Sequence, residues 1–202
     1  MYLNSFSTMK QLSYLLIICL LWACAEPNNE SGNNTSTTNT TTNKNNDNNT
    51  PPTKAEGQLL DQEKFVLKYP ANWKINTGEK AAGELVNLIS DATSTQDRFR
   101  ETFSVSIKRS ETQPFTLESF AKIIKEHLKK EQPNIKVVDE ETKDGYFEME
   151  YVGDYKDQKM KWKQRAWVKG KEAFVATYMA DHDDFKNHEA EANLMMNSFK
   201  IK

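Results

Sequence analysis

The chain has 202 residues, 27 of them basic and 29 acidic, so its formal net charge is −2 at neutral pH. This balance excludes the strongly basic surface on which sequence-independent nucleic-acid binding depends. Both cysteines, Cys19 and Cys24, lie near the N-terminus, which excludes a disulfide framework in the rest of the chain.

The first 24 residues have the layout of an export signal. Lys10 precedes an apolar run over residues 15–22 that is too short to span a bilayer. The run continues into Leu21-Trp22-Ala23-Cys24, which resembles the bacterial lipobox, a motif whose cysteine is lipidated and becomes the first residue of the mature chain. The resemblance predicts a signal peptide over residues 1–23 and a lipid anchor, with palmitate among its acyl chains, on Cys24.

Residues 24–56 are predicted to form a disordered tether after the anchor. They are mostly Asn, Thr, Ser, Pro and Gly, and such a composition cannot bury enough apolar surface to offset the entropy of ordering. A flexible coil of this length spans roughly 30 Å. Without residues 1–23 the chain keeps 26 basic and 29 acidic residues, so we expect the acyl group, not surface charge, to hold it at a membrane.

The globular part is predicted over residues 57–202 and begins with three strands. Phe65, Leu67 and Tyr69 alternate with other residues in a period-2 pattern that stops at Pro70, and Trp73 follows in a predicted turn. Two further strands are predicted at residues 84–90 and 103–107.

A helix is predicted next, with Thr116 as its N-cap and Pro133 preventing its continuation. Its apolar residues fall on one face: Leu117, Phe120, Ala121, Ile124 and Leu128. Four strands are predicted at residues 135–140, 146–152, 160–168 and 173–179, and a second helix at 183–197. Consecutive strands joined by tight turns, with few helices between them, indicate a single α+β domain built on an antiparallel sheet.

One cluster of chemically active side chains lies at the start of the second helix, over residues 181–189. Asp184 and His188, at positions i and i+4, share a helix face and could bind Zn²⁺ or Mn²⁺, whereas His182 and His188 cannot share one. His188 also lies in the apolar stripe of the helix, where a histidine packs against the sheet, and Asp181 or Asp183 could serve as the N-cap. No catalytic residue and no cofactor are predicted, because no phosphate loop, nucleophile elbow or zinc-protease motif is present.

Several segments together resemble PsbP-like domains. The strand and turn Phe65-Val66-Leu67-Lys68-Tyr69-Pro70-Ala71-Asn72-Trp73 is similar to the start of these domains, and Asn197-Ser198-Phe199-Lys200-Ile201 is similar to their end. Between them, residues 115–120 look like the first helix start and residues 161–168 like a central hairpin strand. The resemblance, closest to the DcrB-like bacterial lipoproteins, implies an α/β/α sandwich around a twisted antiparallel sheet.

The resemblance also implies function, because PsbP-like domains are typically accessory or partner-binding modules and not enzymes. We therefore expect a lipid-anchored, non-catalytic domain of a bacterial cell envelope that recognises a protein or a small ligand. Ala25 follows the cysteine, which favours the outer membrane. An envelope protein is the expected partner and nucleic acid is not. The alternative is a metal-dependent hydrolase or metal-handling protein that uses Asp184 and His188.

Overall fold

The computed structural model describes residues 57–92 and 99–202. The predicted signal peptide, the predicted lipid-attachment residue Cys24 and the predicted tether all lie outside these ranges. Within them the chain forms, in order, β1 (Gln58–Asp61), β2 (Phe65–Tyr69), β3 (Trp73–Ile75), β4 (Glu84–Ser90), β5 (Thr102–Arg109), α1 (Leu117–Glu131), β6 (Lys136–Lys143), β7 (Tyr146–Tyr155), β8 (Gln158–Lys169), β9 (Glu172–Asp181), α2 (Phe185–Ser198) and β10 (Lys200–Ile201).

Two antiparallel sheets organise these elements. The larger sheet has seven strands in the order β3-β4-β5-β9-β8-β7-β6, and the smaller has three in the order β1-β2-β10. The hairpins β6-β7, β7-β8 and β8-β9 join neighbours in the chain, whereas β5 pairs with β9 across a long connection. A single domain with a mostly antiparallel sheet and two helices is therefore confirmed.

The central strand β9 shows how the sheet supports the two helices. Phe174, Ala176 and Tyr178 are buried in the same cluster as the apolar side of α2. Ala173 and Met179, with the opposite parity, are buried in the clusters that contain the apolar residues of α1. Because neighbouring side chains of a strand point to opposite faces, the two helices contact alternate side chains of β9.

Helix α1 begins where the sequence predicts. The Thr116 hydroxyl accepts a hydrogen bond from the Ser119 backbone N–H at 3.1 Å, and the Ser119 hydroxyl accepts one from the Thr116 N–H at 3.0 Å. This reciprocal pair is a capping box that satisfies two otherwise unpaired donors. The helix ends at Glu131, two residues before Pro133.

Three short strands were not predicted, and one prediction was wrong. Trp73, expected in a turn, begins β3 and pairs with Ser90 of β4. β1 and β10 both pair with β2. With only four, three and two residues, β1, β3 and β10 are too short for a period-2 pattern to be recognised, and pairing with neighbours determines them.

The N-cap of α2 also differs from the prediction of Asp181 or Asp183. The structure places Asp184 at the N-cap, without a side-chain capping bond. The Asp181 carboxylate accepts a hydrogen bond from the Asp183 backbone N–H at 2.9 Å, one turn before the helix. This local turn orients the chain into α2.

The two-residue turn between β7 and β8 provides a test of backbone strain. Lys156 and Asp157 have φ values of 48° and 66°, the left-handed region that side chains disfavour. Replacing the pair by Asn-Gly (Lys156→Asn with Asp157→Gly) is expected to raise the free energy of unfolding by about 1 kcal/mol in urea denaturation. Gly145→Ala is the matched control, expected to lower it by about 1 kcal/mol because Gly145 has φ 89°. A less stable Asn-Gly variant would contradict the expectation.

Candidate functional site

His188, the central residue of the predicted metal site, is packed between α2 and the sheet. Its side chain is 10% exposed. Nε2 lies 3.4 Å from Oε2 of Glu101 and Nδ1 lies 2.9 Å from Oε2 of Glu191. Each ring nitrogen therefore faces a carboxylate, which is the structural alternative that the sequence left open.

Glu101 immediately precedes β5 and contacts His188 from the sheet. It is almost fully buried, at 3% exposure. Its carboxylate accepts a hydrogen bond from the Ser90 hydroxyl at 2.6 Å, and its backbone N–H donates to the same Ser90 oxygen at 3.1 Å. Buried polar groups are tolerated when they are paired in this way. The pair joins the end of β4 to the start of β5.

Glu191 completes the cluster from α2. Its carboxylate accepts hydrogen bonds from Trp73 Nε1 at 2.7 Å and from Asn72 Nδ2 at 3.0 Å, in addition to facing His188. Burial alone would raise the pKa of Glu191, but the hydrogen bonds from His188, Trp73 and Asn72 outweigh burial and hold that pKa below its ordinary value. The residues Ser90, Glu101, His188, Glu191 and Trp73 are called the His188 cluster below.

A serine, a histidine and two carboxylates in one cluster invite comparison with a nucleophilic active site. The Ser90 hydroxyl, however, donates to Glu101 and has no exposed surface. A nucleophile needs a base that takes its proton and a path for substrate. The His188 cluster instead connects β3, β4 and β5 to α2, and its chemistry serves to hold the helix on the sheet.

The pairing of Asp184 with His188 in the alternative hypothesis is not present. Asp184 Oδ1 accepts a hydrogen bond from Asn187 Nδ2 at 2.9 Å. His182 Nδ1 lies 3.0 Å from Asp183 Oδ1 in the turn before α2. Within residues 57–92 and 99–202, no three His, Cys, Asp or Glu side chains are arranged to hold a metal ion. His188 instead faces Glu101, a residue that is distant in sequence, and Glu191.

The lowered pKa of Glu191 predicts an acid dependence of stability. A carboxyl group whose pKa is lower in the folded state stabilises the fold above its ordinary pKa, and that contribution is lost as the pH falls through the lowered value. Glu191→Gln is expected to cost about 1.5 kcal/mol at pH 7 and to make stability fall less steeply as the pH drops below 4.5, the ordinary pKa of a glutamate. Urea denaturation at a series of pH values measures both effects. An unchanged pH dependence would show that Glu191 is not the group that titrates.

His188 is the one member of the His188 cluster that was named from the sequence as a candidate site residue. Its two carboxylate partners, Glu101 and Glu191, were not predicted. A signal for each was present. Glu101 stands at the spacing i, i+2 and i+4 with Phe103 and Val105, whose side chains are buried on the same face of β5. Glu191 follows His188 by three residues, so the two share a helix face.

A second polar network lies beside α2 on the same face of the sheet. Lys163, whose side chain is 9% exposed, has carboxylate oxygens of Glu150, Glu189 and Glu148 at 3.2, 3.6 and 3.7 Å. Arg165 donates to Glu148 at 2.6 Å. These residues are called the Lys163 network. It links β7 and β8 to α2. Lys161, whose Nζ lies 2.7 Å from Glu150, adds a third positive charge beside the three carboxylates, so each buried charge has an opposite partner.

In contrast to these buried networks, the surface of β6, the edge strand of the seven-stranded sheet, is exposed. β6 pairs with β7, and all eight of its residues are exposed. Val137 and Val138 are 40% and 46% exposed, although both are large and apolar. The register shifts between Val137 and Asp139, so Val138 lies in a bulge.

A small cleft adjoins the beginning of β6. It has a volume of about 200 Å³ and is lined by Glu131, Gln132, Pro133, Asn134, Ile135 and Asp154. Ile135 immediately precedes β6, so the cleft and the strand form one continuous surface. This surface, made of the cleft residues and residues 136–143, is called the β6 edge.

Cys24, the one site residue predicted for covalent modification, lies outside the described ranges. Among the described residues, no helix has both the length and the apolar character needed to cross a bilayer.

Comparison with solved structures shows a known fold. The solution structure of cyanobacterial PsbP (CyanoP) from Synechocystis sp. PCC 6803 aligns with a TM-score of 0.52 at 15% identity, covering 73% of this chain and 94% of that one. The structure of LpqN, a protein involved in cell envelope biogenesis of Mycobacterium tuberculosis, aligns with a TM-score of 0.48 at 15% identity, covering 72% and 85%. No protein-family model and no curated protein sequence matches the chain.

Proposed function

We propose that this chain, whose described part has the PsbP fold, is a lipid-anchored, non-catalytic accessory protein of a bacterial cell envelope that binds a partner protein. We also propose that the protein belongs to the DcrB-like branch of PsbP-like proteins and that its domain is an α/β/α sandwich. The alternating contacts of β9 with α1 and α2 support the sandwich, since they require one helix on each side of the sheet.

The observation that carries the proposal is the β6 edge. A strand at the edge of a sheet presents unpaired backbone donors and acceptors, and proteins use such strands to bind extended segments of other proteins. β6 is eight residues long, whereas β3 at the other edge of the same sheet has three. Exposed valines in β6 add apolar area to a surface that is otherwise polar.

The two polar networks support a non-catalytic role. Ser90, Glu101 and His188 direct their reactive atoms at one another, and Lys163 directs its ammonium group at three carboxylates. These contacts hold α2 against the sheet. Recognition therefore falls to the exposed surface of the domain.

The anchor belongs to the proposal as well. An acyl group on Cys24, followed by residues 25–56, would hold the domain at a root-mean-square distance of roughly 30 Å from a membrane. Such confinement raises the effective concentration of the domain toward any partner in the same membrane. Ala25 after the cysteine favours the outer membrane for this anchor.

The test is a crosslinking pull-down from native envelopes that compares the wild type with Cys24→Ala. We expect one specific envelope protein to be recovered with the wild type and its yield to fall at least tenfold with Cys24→Ala. Cys19→Ala is the matched control, because Cys19 lies in the predicted signal peptide, and it should recover the partner in full. Equal distribution of Cys24→Ala and wild type between membrane and soluble fractions would overturn the anchor. Recovery of no specific protein from either form would overturn partner binding.

A further inference from the structure

We propose that the β6 edge binds an extended, basic segment of the partner protein, which adds to the seven-stranded sheet as an eighth strand. This inference rests on the proposed function and specifies the chemistry of the partner. It follows from three properties of the β6 edge: free backbone groups, acidic side chains in the middle of the strand, and the adjoining cleft.

The backbone of β6 can form hydrogen bonds with a second strand in addition to β7. In an antiparallel sheet, alternate residues of an edge strand direct their N–H and C=O groups away from the paired strand. The bulge at Val138 interrupts this alternation, so the regular part of the edge is residues 139–143, which can pair with a segment of about five residues, within the usual length of a strand. All eight residues are exposed, and α1 contacts the strand through the ion pair of Lys125 with Glu140, at 3.1 Å.

The charged side chains of β6 indicate which kind of segment can bind there. Asp139, Glu140 and Glu141 stand together in the middle of the strand, with Lys136 and Lys143 at its ends. Glu140 pairs with Lys125 of α1 and Glu141 with Lys143, whereas none of the ion pairs among the described residues involves Asp139. A second copy in the full-length antiparallel register would place Lys136 opposite Lys143 and Asp139 opposite Glu140. Like charges directly opposite each other destabilise a strand pair. A segment with Lys or Arg at its centre is favoured instead.

The cleft extends the same preference beyond the strand. Glu131 and Asp154 contribute carboxylates, while Pro133 and Ile135 contribute apolar surface. A lysine or arginine side chain matches this combination, because its aliphatic stem packs on apolar groups while its charged end pairs with carboxylates. The exposed Val137 and Val138 continue the apolar surface into β6 and would contact apolar side chains of the segment.

The experiment selects peptides from a displayed library of random 12-residue sequences on the full chain purified from membranes in detergent. We expect enrichment of sequences in which Lys or Arg alternates with apolar residues. An enriched peptide should slow amide hydrogen exchange within residues 136–143. Asp139→Lys combined with Glu141→Lys should weaken its binding at least tenfold.

The matched control is Glu79→Lys combined with Glu111→Lys, which makes the same charge change at two exposed positions outside the β6 edge. Binding to this control should remain within twofold of the wild type. Equal loss in both variants, protection elsewhere in the domain, or enrichment without basic residues would each overturn the inference. A partner recovered from envelopes that still crosslinks equally well to the Asp139→Lys, Glu141→Lys variant would overturn the inference while leaving the proposed function intact.

Discussion

Replacing Trp73 by alanine is expected to lower the free energy of unfolding by about 4 kcal/mol. Trp73 is 1% exposed, and its ring lies 6.5 Å from that of Tyr178 and 6.2 Å from that of His188. The alanine variant loses this packing and also leaves the Glu191 carboxylate without its indole donor. Since small domains are stable by only about 5–15 kcal/mol, this single change removes a large part of the total. Guanidinium denaturation followed by far-UV circular dichroism measures it.

Trp73→Phe separates the two contributions. Phenylalanine keeps most of the apolar volume and loses the donor to Glu191, so the expected cost is about 2 kcal/mol. A cost equal to that of the alanine variant would show that the hydrogen bond, and not the packing of the ring, dominates. An alanine variant that loses less than about 1 kcal/mol would contradict the placement of Trp73 in the core.

Arg165→Met is expected to destabilise the protein by about 3 kcal/mol. The Arg165 side chain is 7% exposed, and it donates to Glu148 at 2.6 Å and to Asn197 of α2 at 2.8 Å. Methionine fills much of the same space but leaves the buried Glu148 carboxylate with the more distant Lys163 as its partner, at 3.7 Å. A buried carboxylate that loses its close hydrogen-bond donor is costly because it has also lost its hydration.

A double-mutant cycle tests this reason. Removing both charges, in Arg165→Met with Glu148→Leu, is expected to recover most of the loss, because two apolar side chains leave no buried charge unpaired. Lys64→Met is the control for a more exposed ion pair with Glu172, and it should cost less than about 1 kcal/mol. Simple additivity of the two single changes would show that Arg165 and Glu148 are not energetically coupled.

The sequence predicted those parts of the fold whose residues carry a local pattern. The alternation of Phe65, Leu67 and Tyr69 and the capping residue Thr116 are properties of short segments, and both predictions are confirmed. β3 and β10 have no such pattern. They become strands because β4 and β2 offer them hydrogen-bonding partners, and that pairing is a tertiary event.

For the candidate sites too, the features with a local sequence pattern were predicted and those that depend on tertiary packing were not. The apolar stripe of α2 correctly indicated that His188 packs against the sheet. The identity of its partner could not be read locally, because Glu101 is 87 positions earlier and reaches His188 only after β5 and α2 pack together. The β6 edge was predicted as a strand, but its position at the end of the sheet depends on the order of all seven strands.

The position of β1 has a mechanical consequence. A pull on the chain ahead of Gly57 reaches the folded domain through β1, which is held by pairing with β2 and has one buried side chain, Leu60. Under load, β1 should detach first. Its four residues would then lengthen the connection by about 14 Å. β1 is therefore expected to yield at a lower force than the seven-stranded sheet, so that the sheet and its β6 edge stay intact while the connection lengthens.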